Sequence, residues 1–148
     1  MAGGPLSGKV RFVGQLARAD AVRLIADARL VVLPSQCFEG LPTVMIEAFA
    51  FGTPVAVSRI GPLPSFVREG TNGTVFEPGD PGSLLAAVRA IWQSPAALER
   101  LGVGARKTFE TTYAEDANHA ALMGIYETAI ELGRTRRRGE EVKRERAA

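Results

Sequence analysis

Residues 30–57 read LVVLPSQCFEGLPTVMIEAFAFGTPVAV, and the fold follows from how this stretch divides. Leu30, Val31, Val32 and Leu33 form a continuous apolar run without polar alternation, the pattern of a strand buried on both faces of a parallel sheet. Pro34 and Ser35 stop it. A loop of mixed polarity leads to a helix predicted over residues 42–51, where Pro42 suits a first turn that needs no N–H. Gly52 ends that helix, and Val55, Ala56 and Val57 make the next apolar run. Two strands joined through a helix pair in parallel, by a crossover.

The same alternation extends both ways. Upstream, residues 10–13 predict a strand ended by Gly14, and Asp20 predicts the cap of a helix with Val22, Ile25 and Ala26 on its apolar face. Downstream, a short helix is expected over residues 64–68, ending at Gly70. Asn72 and Gly73 make a turn, and residues 74–76 another short strand. Asp80 caps a helix with Pro81 near its start and a stripe of Leu84, Leu85, Val88, Ile91 and Trp92. Ser94 and Pro95 break to a helix over residues 96–109, and residues 115–132 form the last, with Leu122, Ile125, Tyr126 and Ile130 facing inward. The class expected is α/β: a Rossmann-like, doubly wound parallel sheet with helices on both faces. About four strands are visible where a full fold of this kind has six, so the sheet is expected to be truncated at its N-terminal side.

Composition supports one packed domain over residues 1–133, followed by a basic tail, 134–148, expected to be disordered or a frayed helix. The chain has 148 residues, 46% hydrophobic and 23% charged, enough for a globular core. Cys37 is the only cysteine, which excludes an internal disulfide and suits a reducing, cytoplasmic setting. Residues 1–8 are expected to be neither signal nor transit peptide, and no apolar run approaches the roughly 20 residues that cross a bilayer. The tail holds seven basic residues against three acidic, net +4, and the body eleven against thirteen, net −2. The basic character therefore belongs to the tail, and no nucleic-acid partner is expected for the body. The tail reads first as a solvated helix end, because Glu140, Glu141 and Glu145 dilute its charge. The sharper alternative is peripheral contact with anionic lipid headgroups, at about 1 kcal/mol per well-placed Lys or Arg.

In open parallel sheets, ligands bind beyond the carboxyl ends of the strands. The loop leaving Leu33 is therefore the place to look, and two carboxylates bracket it. Glu39 lies in the loop. Glu47 follows eight positions later, inside the most apolar helix of the chain, where an ionised carboxylate costs several kcal/mol unless offset. Ligand hydroxyls would offset it; so would a nearby Arg. Between the two acids the helix begins, with free N–H groups and a positive dipole end suited to phosphate oxygens. Gly40 lets a ligand approach the backbone. Taken singly, Glu47 reads as an Arg-paired carboxylate and Glu39 as a loop residue or cap.

Taken together, residues 39–55, EGLPTVMIEAFAFGTPV, resemble the E-x7-E segment of family 4 glycosyltransferases, including its trailing E-A-x-A-x-G-x-P-V. The match continues through Ala26, Asp27 and Ala28 to Leu33, Pro34 and Ser35, and beyond through Ser58, Arg59, Ile60 and Gly61; Val67, Arg68, Glu69 and Gly70; Gly73; and Glu77, Pro78, Gly79 and Asp80. It covers roughly residues 9–131. The resemblance implies the GT-B fold, two Rossmann-like domains facing across a cleft, and identifies this chain with the C-terminal, donor-binding one. It implies retaining, metal-free, hexosyltransferase-like transfer from a nucleotide-diphosphate sugar in polysaccharide or glycoconjugate biosynthesis, with no cofactor. It implies that Glu39 contacts the transferred sugar as the catalytic carboxylate, and that the backbone at Gly40, Leu41, Pro42 and Thr43 faces sugar and diphosphate. Glu47 would hold the ribose, and Gln15 and Leu16 would lie near the base.

Three departures stand out. The family's G-R-x-x-x-x-K-type segment, whose Arg and Lys neutralise the diphosphate, has no counterpart; Val13, Gly14, Gln15 and Leu16, with Arg18 nearby, are only superficially similar. The family's G-G-x-P-E is here Gly61, Pro62, Leu63, Pro64 and Ser65. The resemblance implies an acceptor domain outside these residues, supplied in cis or in trans, so the chain alone is expected to be inactive. A different class of reading is a non-catalytic remnant or docking module that needs a partner domain. Other signals are weaker. Gly102, Val103, Gly104 and Lys107 lie between helical segments and read as a helix junction, His119 as a surface residue, Cys37 as a small packed residue, and Trp92 and Tyr126 as core.

Overall fold

A computed structural model describes residues 9–145, with side chains to residue 137. Strand β2 (Val55–Ser58) is the middle of a three-stranded parallel sheet, between β1 (Val31–Leu33) and β3 (Gly73–Phe76). Val31 stands opposite Val55 and Leu33 opposite Val57; on the other side Val55 meets Gly73 and Ser58 meets Phe76. All four β2 residues are buried. Successive strand side chains point to opposite faces, so both faces of the sheet are covered at its centre.

The helices are α1 (Arg18–Asp27), α2 (Thr43–Ala50), the single-turn α3 (Leu63–Phe66), α4 (Pro81–Trp92), α5 (Pro95–Thr108) and α6 (Glu115–Glu145), with a π-helical turn (Phe109–Tyr113) between the last two. An eight-residue helix such as α2 is marginal alone, and packing holds it. Its Met45, Ala48 and Phe49 are fully buried against a core that includes Val55, Val57, Leu63, Val67 and Ala105. Removing a side chain such as Phe49 from water contributes about 1.5–3 kcal/mol. Its ring also stacks on Tyr113, with centroids 6.4 Å apart. Burial at that position raises the Tyr113 phenol above its usual pKa. Asp80 caps α4 as expected, its Oδ1 accepting from the amides of Gly82 (2.8 Å) and Ser83 (3.0 Å). The Ser94 hydroxyl oxygen accepts from the Ala97 amide at the start of α5.

Several local expectations are corrected. Residues 10–13 form no strand: Val10, Phe12 and Val13 are exposed, and no described strand lies alongside to bond their backbone. Among the described residues three strands form rather than four. The full burial expected of residues 30–33 belongs instead to β2, because β1 has a strand on one side only and Val32 is 37% exposed. Asp20 is not the cap of α1. The helix starts earlier, after Ala17, and Asp20 sits in its first turn paired with Arg23. Trp92 and Tyr126 are exposed, not core; Trp92 receives the Arg29 guanidinium 4.3 Å from its ring centroid.

Gly102 and Gly104 are not at a junction but inside α5. Their role is close approach. A Cβ on Gly104 would stand 1.9 Å from the Thr71 carbonyl oxygen, and one on Gly102 2.8 Å from that of Gly52. Helix α5 thus lies directly on the backbone of two turns. Helix α6 runs beyond the predicted residue 132, and Leu122, Ile125, Tyr126 and Ile130 are 41–63% exposed rather than inward. Its packing is against the π turn near its own start, leaving the amphipathic stripe beyond it uncovered by the described residues. Residues 146–148 of the basic tail, and its side chains after Arg137, lie outside the described residues. Among the described residues no helix is long and apolar enough to cross a membrane.

Candidate functional site

Parallel strands deliver their carboxyl ends to one rim. Residues 34–42 leave β1 there, 59–62 leave β2 and 77–80 leave β3. Two contacts tie these loops together. The Ser58 hydroxyl donates to the Leu33 carbonyl (3.3 Å), and Arg59 Nε donates to Glu77 Oε1 (2.8 Å). A third contact concerns the segment that departs from the family pattern. Gly61 has φ +53°, and a Cβ there would come 2.8 Å from Phe38 Cδ1. The Phe38 ring therefore lies flush on the Gly61 backbone, which only glycine permits without strain. Phe38, the residue immediately before Glu39, is otherwise 82% exposed.

Glu39 is half-buried, and the Ser35 hydroxyl donates to its Oε1. Helix α2 then begins without a side-chain cap. Pro42 precedes its first helical residue with ψ 123°, not inside the first turn as expected. The amides of Gly40, Leu41, Thr43 and Val44 make no hydrogen bond among the described residues, and Pro42 has no N–H to offer. Space beside Gly40 is open, with no atom within 4 Å of an added Cβ. Unpaired amides and a dipole equivalent to roughly +0.5 charge make this helix end electropositive.

Glu47 is the fifth residue of α2, about 6 Å along the axis from its start at 1.5 Å per residue. Its side chain is 29% exposed, so water reaches the carboxylate. Arg18, the first residue of α1, places Nη2 3.4 Å from Glu47 Oε1. That guanidinium is itself 88% exposed, and such a pair contributes about 0–1 kcal/mol. Gln15, exposed, and Leu16, half-buried, stand just before α1, which packs on α2. The contact from Arg18 to Glu47 brings the start of α1 to the side of α2 that carries this carboxylate.

Of the other residues singled out, Leu41 and Thr43 are exposed, His119 is exposed on α6, and Cys37 is free and exposed rather than packed. Among the described residues no group of three or more His, Cys, Asp and Glu is arranged to hold a metal. The Arg-paired alternative for Glu47 is borne out, with Arg18 as the arginine, whereas Ser35 as the partner of Glu39 was not foreseen. Position four residues before Glu39 was the available signal for Ser35; for Arg18 there was none, since 29 residues separate it from Glu47.

The model of a protein family, Glycosyl transferases group 1, matches residues 5–108. The chain is 35% identical over 116 residues to a glycogen synthase of Mycobacterium tuberculosis, aligning 78% of this chain with 28% of that protein. Its fold superposes on sucrose-phosphate synthase from Thermosynechococcus elongatus with a TM-score of 0.73 and 29% identity, over 86% of this chain and 32% of the other. It superposes on Anabaena HepE, solved in complex with UDP-glucose, with a TM-score of 0.70 and 23% identity, over 82% of this chain and 33% of that one. The chain thus spans between 28% and 33% of the length of these proteins. The likeness bears out the fold expected from the motif, a Rossmann-like half of a GT-B architecture.

Proposed function

This chain belongs to the group 1 glycosyl transferases, and on that footing we propose that it is the donor-binding half of a retaining glycosyltransferase that uses a nucleotide-diphosphate sugar. One observation carries the reading: the uncapped amino end of α2, with unpaired amides, opens at the sheet rim, with partly exposed Glu39 four residues before its first residue and partly exposed Glu47 at its fifth position. The amides of Gly40, Leu41 and Thr43 take phosphate oxygens. Glu47 accepts from vicinal ribose hydroxyls, exchanging its loose contact with Arg18 for two charge-assisted hydrogen bonds. Glu39 accepts from hydroxyls of the transferred sugar and, as the carboxylate nearest the anomeric centre, stabilises an oxocarbenium-like transition state. Gln15 and Leu16 face the base. The donor is a substrate, and the reading assigns the chain no cofactor and no metal.

A second domain, in cis or in trans, supplies the acceptor site, and the chain alone transfers nothing. The exposed apolar residues of α6 and Phe12, 94% exposed, favour a docked partner domain, and so also the alternative of a docking module without catalysis. The setting is cytoplasmic, the basic tail is a solvated helix end, and its alternative is peripheral contact with anionic headgroups. UDP and UDP-glucose are the first probes, because HepE was solved with UDP-glucose. Calorimetric titration of the chain and of Glu47→Ala tests the reading. Loss of two hydrogen bonds to a charged acceptor, at about 1.5–3 kcal/mol each, weakens UDP by about 100-fold or more; equal affinity for both proteins removes Glu47 from the site.

A further inference from the structure

We infer that Ser35 is a positioning residue for Glu39, and that it sets how strongly the site distinguishes a nucleotide sugar from the bare nucleotide. The inference rests on the donor-site reading and goes beyond it, since neither the motif nor the comparisons give Ser35 a task.

The geometry is local and specific. Ser35 lies two residues after Leu33, the last residue of β1. Glu39 stands on a loop with no regular structure of its own. A glutamate there has several rotamers, and ordering such a side chain on binding carries an entropic cost. The Ser35 hydroxyl donates to Oε1, and both residues are half-buried. With Oε1 held, the plane of the carboxylate is fixed before ligand arrives, and Oε2 is left for a hydroxyl of the sugar. Preorganisation of this kind raises affinity by removing the cost of ordering from the binding step. Phe38, one residue before Glu39, is 82% exposed, so the contact that holds the Glu39 side chain among the described residues is the Ser35 hydroxyl. Ser35 does not touch the amides of Gly40, Leu41 and Thr43. Its contribution is therefore confined to the part of the ligand that Glu39 reads.

The test separates the two parts of the ligand. Full-length chain, Ser35→Ala and Ser35→Thr are titrated with UDP, ADP and GDP and with the corresponding glucose adducts, and each protein's melting temperature is recorded. For whichever base binds, Ser35→Ala is expected to lower nucleotide-sugar affinity about tenfold while leaving the diphosphate's affinity unchanged. Ser35→Thr keeps the hydroxyl and restores the sugar-dependent part. Equal weakening of nucleotide and nucleotide sugar by Ser35→Ala would make Ser35 a general loop brace and overturn the inference. So would no weakening, or a failure of threonine to rescue in a protein of unchanged melting temperature. Failure of the unaltered chain to bind any of the six ligands overturns the donor-site reading instead, and this inference falls with it.

Discussion

Two glycine-to-alanine substitutions inside helices should act in opposite directions, and the difference measures how closely α5 lies on the body of the fold. Gly104 is in α5 and Gly124 in α6. Helix propensity alone favours alanine at both, by about 0.8–1 kcal/mol. At Gly124 nothing lies within 4 Å of the added methyl, so the propensity gain stands unopposed. At Gly104 the methyl would lie 1.9 Å from the Thr71 carbonyl oxygen and 2.8 Å from the carbonyl carbon. Ordinary contact needs about 1.5 Å more. Both groups are backbone, so α5 or the turn at residues 70–73 must move bodily. That turn feeds β3 and holds Asn72, which is fully buried and whose side chain bonds the Arg68 amide, the Phe66 carbonyl and the Thr108 hydroxyl. Overpacking costs about 1–3 kcal/mol in a yielding core, and this contact sits at the upper end, giving a net loss of about 2 kcal/mol after the propensity gain. For a chain of this size that is a fall of about 4–8 °C in Tm, against a rise of about 2–4 °C for Gly124→Ala. Thermal unfolding followed by circular dichroism reads both. Gly104→Ala at or above the stability of the unaltered chain would show that α5 does not rest on the Thr71 backbone.

Four further outcomes are expected. Asp80→Ala removes the two-amide cap of α4 and should cost about 1 kcal/mol, read by urea denaturation, with Asp80→Asn recovering most of it. Phe49→Ala empties the centre of the core and the Tyr113 stack and should cost about 3–5 kcal/mol, enough to lose a cooperative transition at moderate temperature. Arg18→Ala breaks an exposed pair and should change stability by less than about 1 kcal/mol, so a large loss would mean that Glu47 is more deeply committed to Arg18 than the geometry shows. Tyr113 has a raised pKa in the folded chain, so above pH 10 the unfolded state has lost a proton that the folded state keeps. Stability from this group is fully present below pH 10 and declines as pH rises, and Tyr113→Phe should flatten that decline in denaturation curves between pH 9 and 11.

Sequence pattern marked the order of elements around the candidate site more clearly than it marked the packing. Residues 30–57 gave the strand, loop, helix and second strand in order, because Pro34, Pro42 and Gly52 punctuate them. Asp80 was legible as a cap because a capping acid next to proline is a local signal. Burial was less legible, because it depends on neighbours. The same apolar run is an edge in β1 and a centre in β2, and only strand order decides which. The stripe on α6 shows that a face is fit for cover, not that this chain supplies the cover. Gly102 and Gly104 read as a helix junction because close backbone approach leaves no mark on neighbouring residues. At the candidate site, Glu39 and Glu47 stood out by their spacing around α2. Ser35 and Arg18 did not, since each acts through a side-chain contact made only once the chain is folded.

The central claim is that the amino end of α2 holds the phosphates of a nucleotide while Glu47 holds its ribose. A crystal structure of the chain with bound nucleoside diphosphate tests it most directly. The account predicts phosphate oxygens within hydrogen-bond reach, about 2.7–3.2 Å, of the amides of Gly40, Leu41 and Thr43, with both ribose hydroxyls on the Glu47 carboxylate. A nucleotide seated elsewhere, with Glu47 still paired to Arg18 and the α2 amides facing only water, would contradict it.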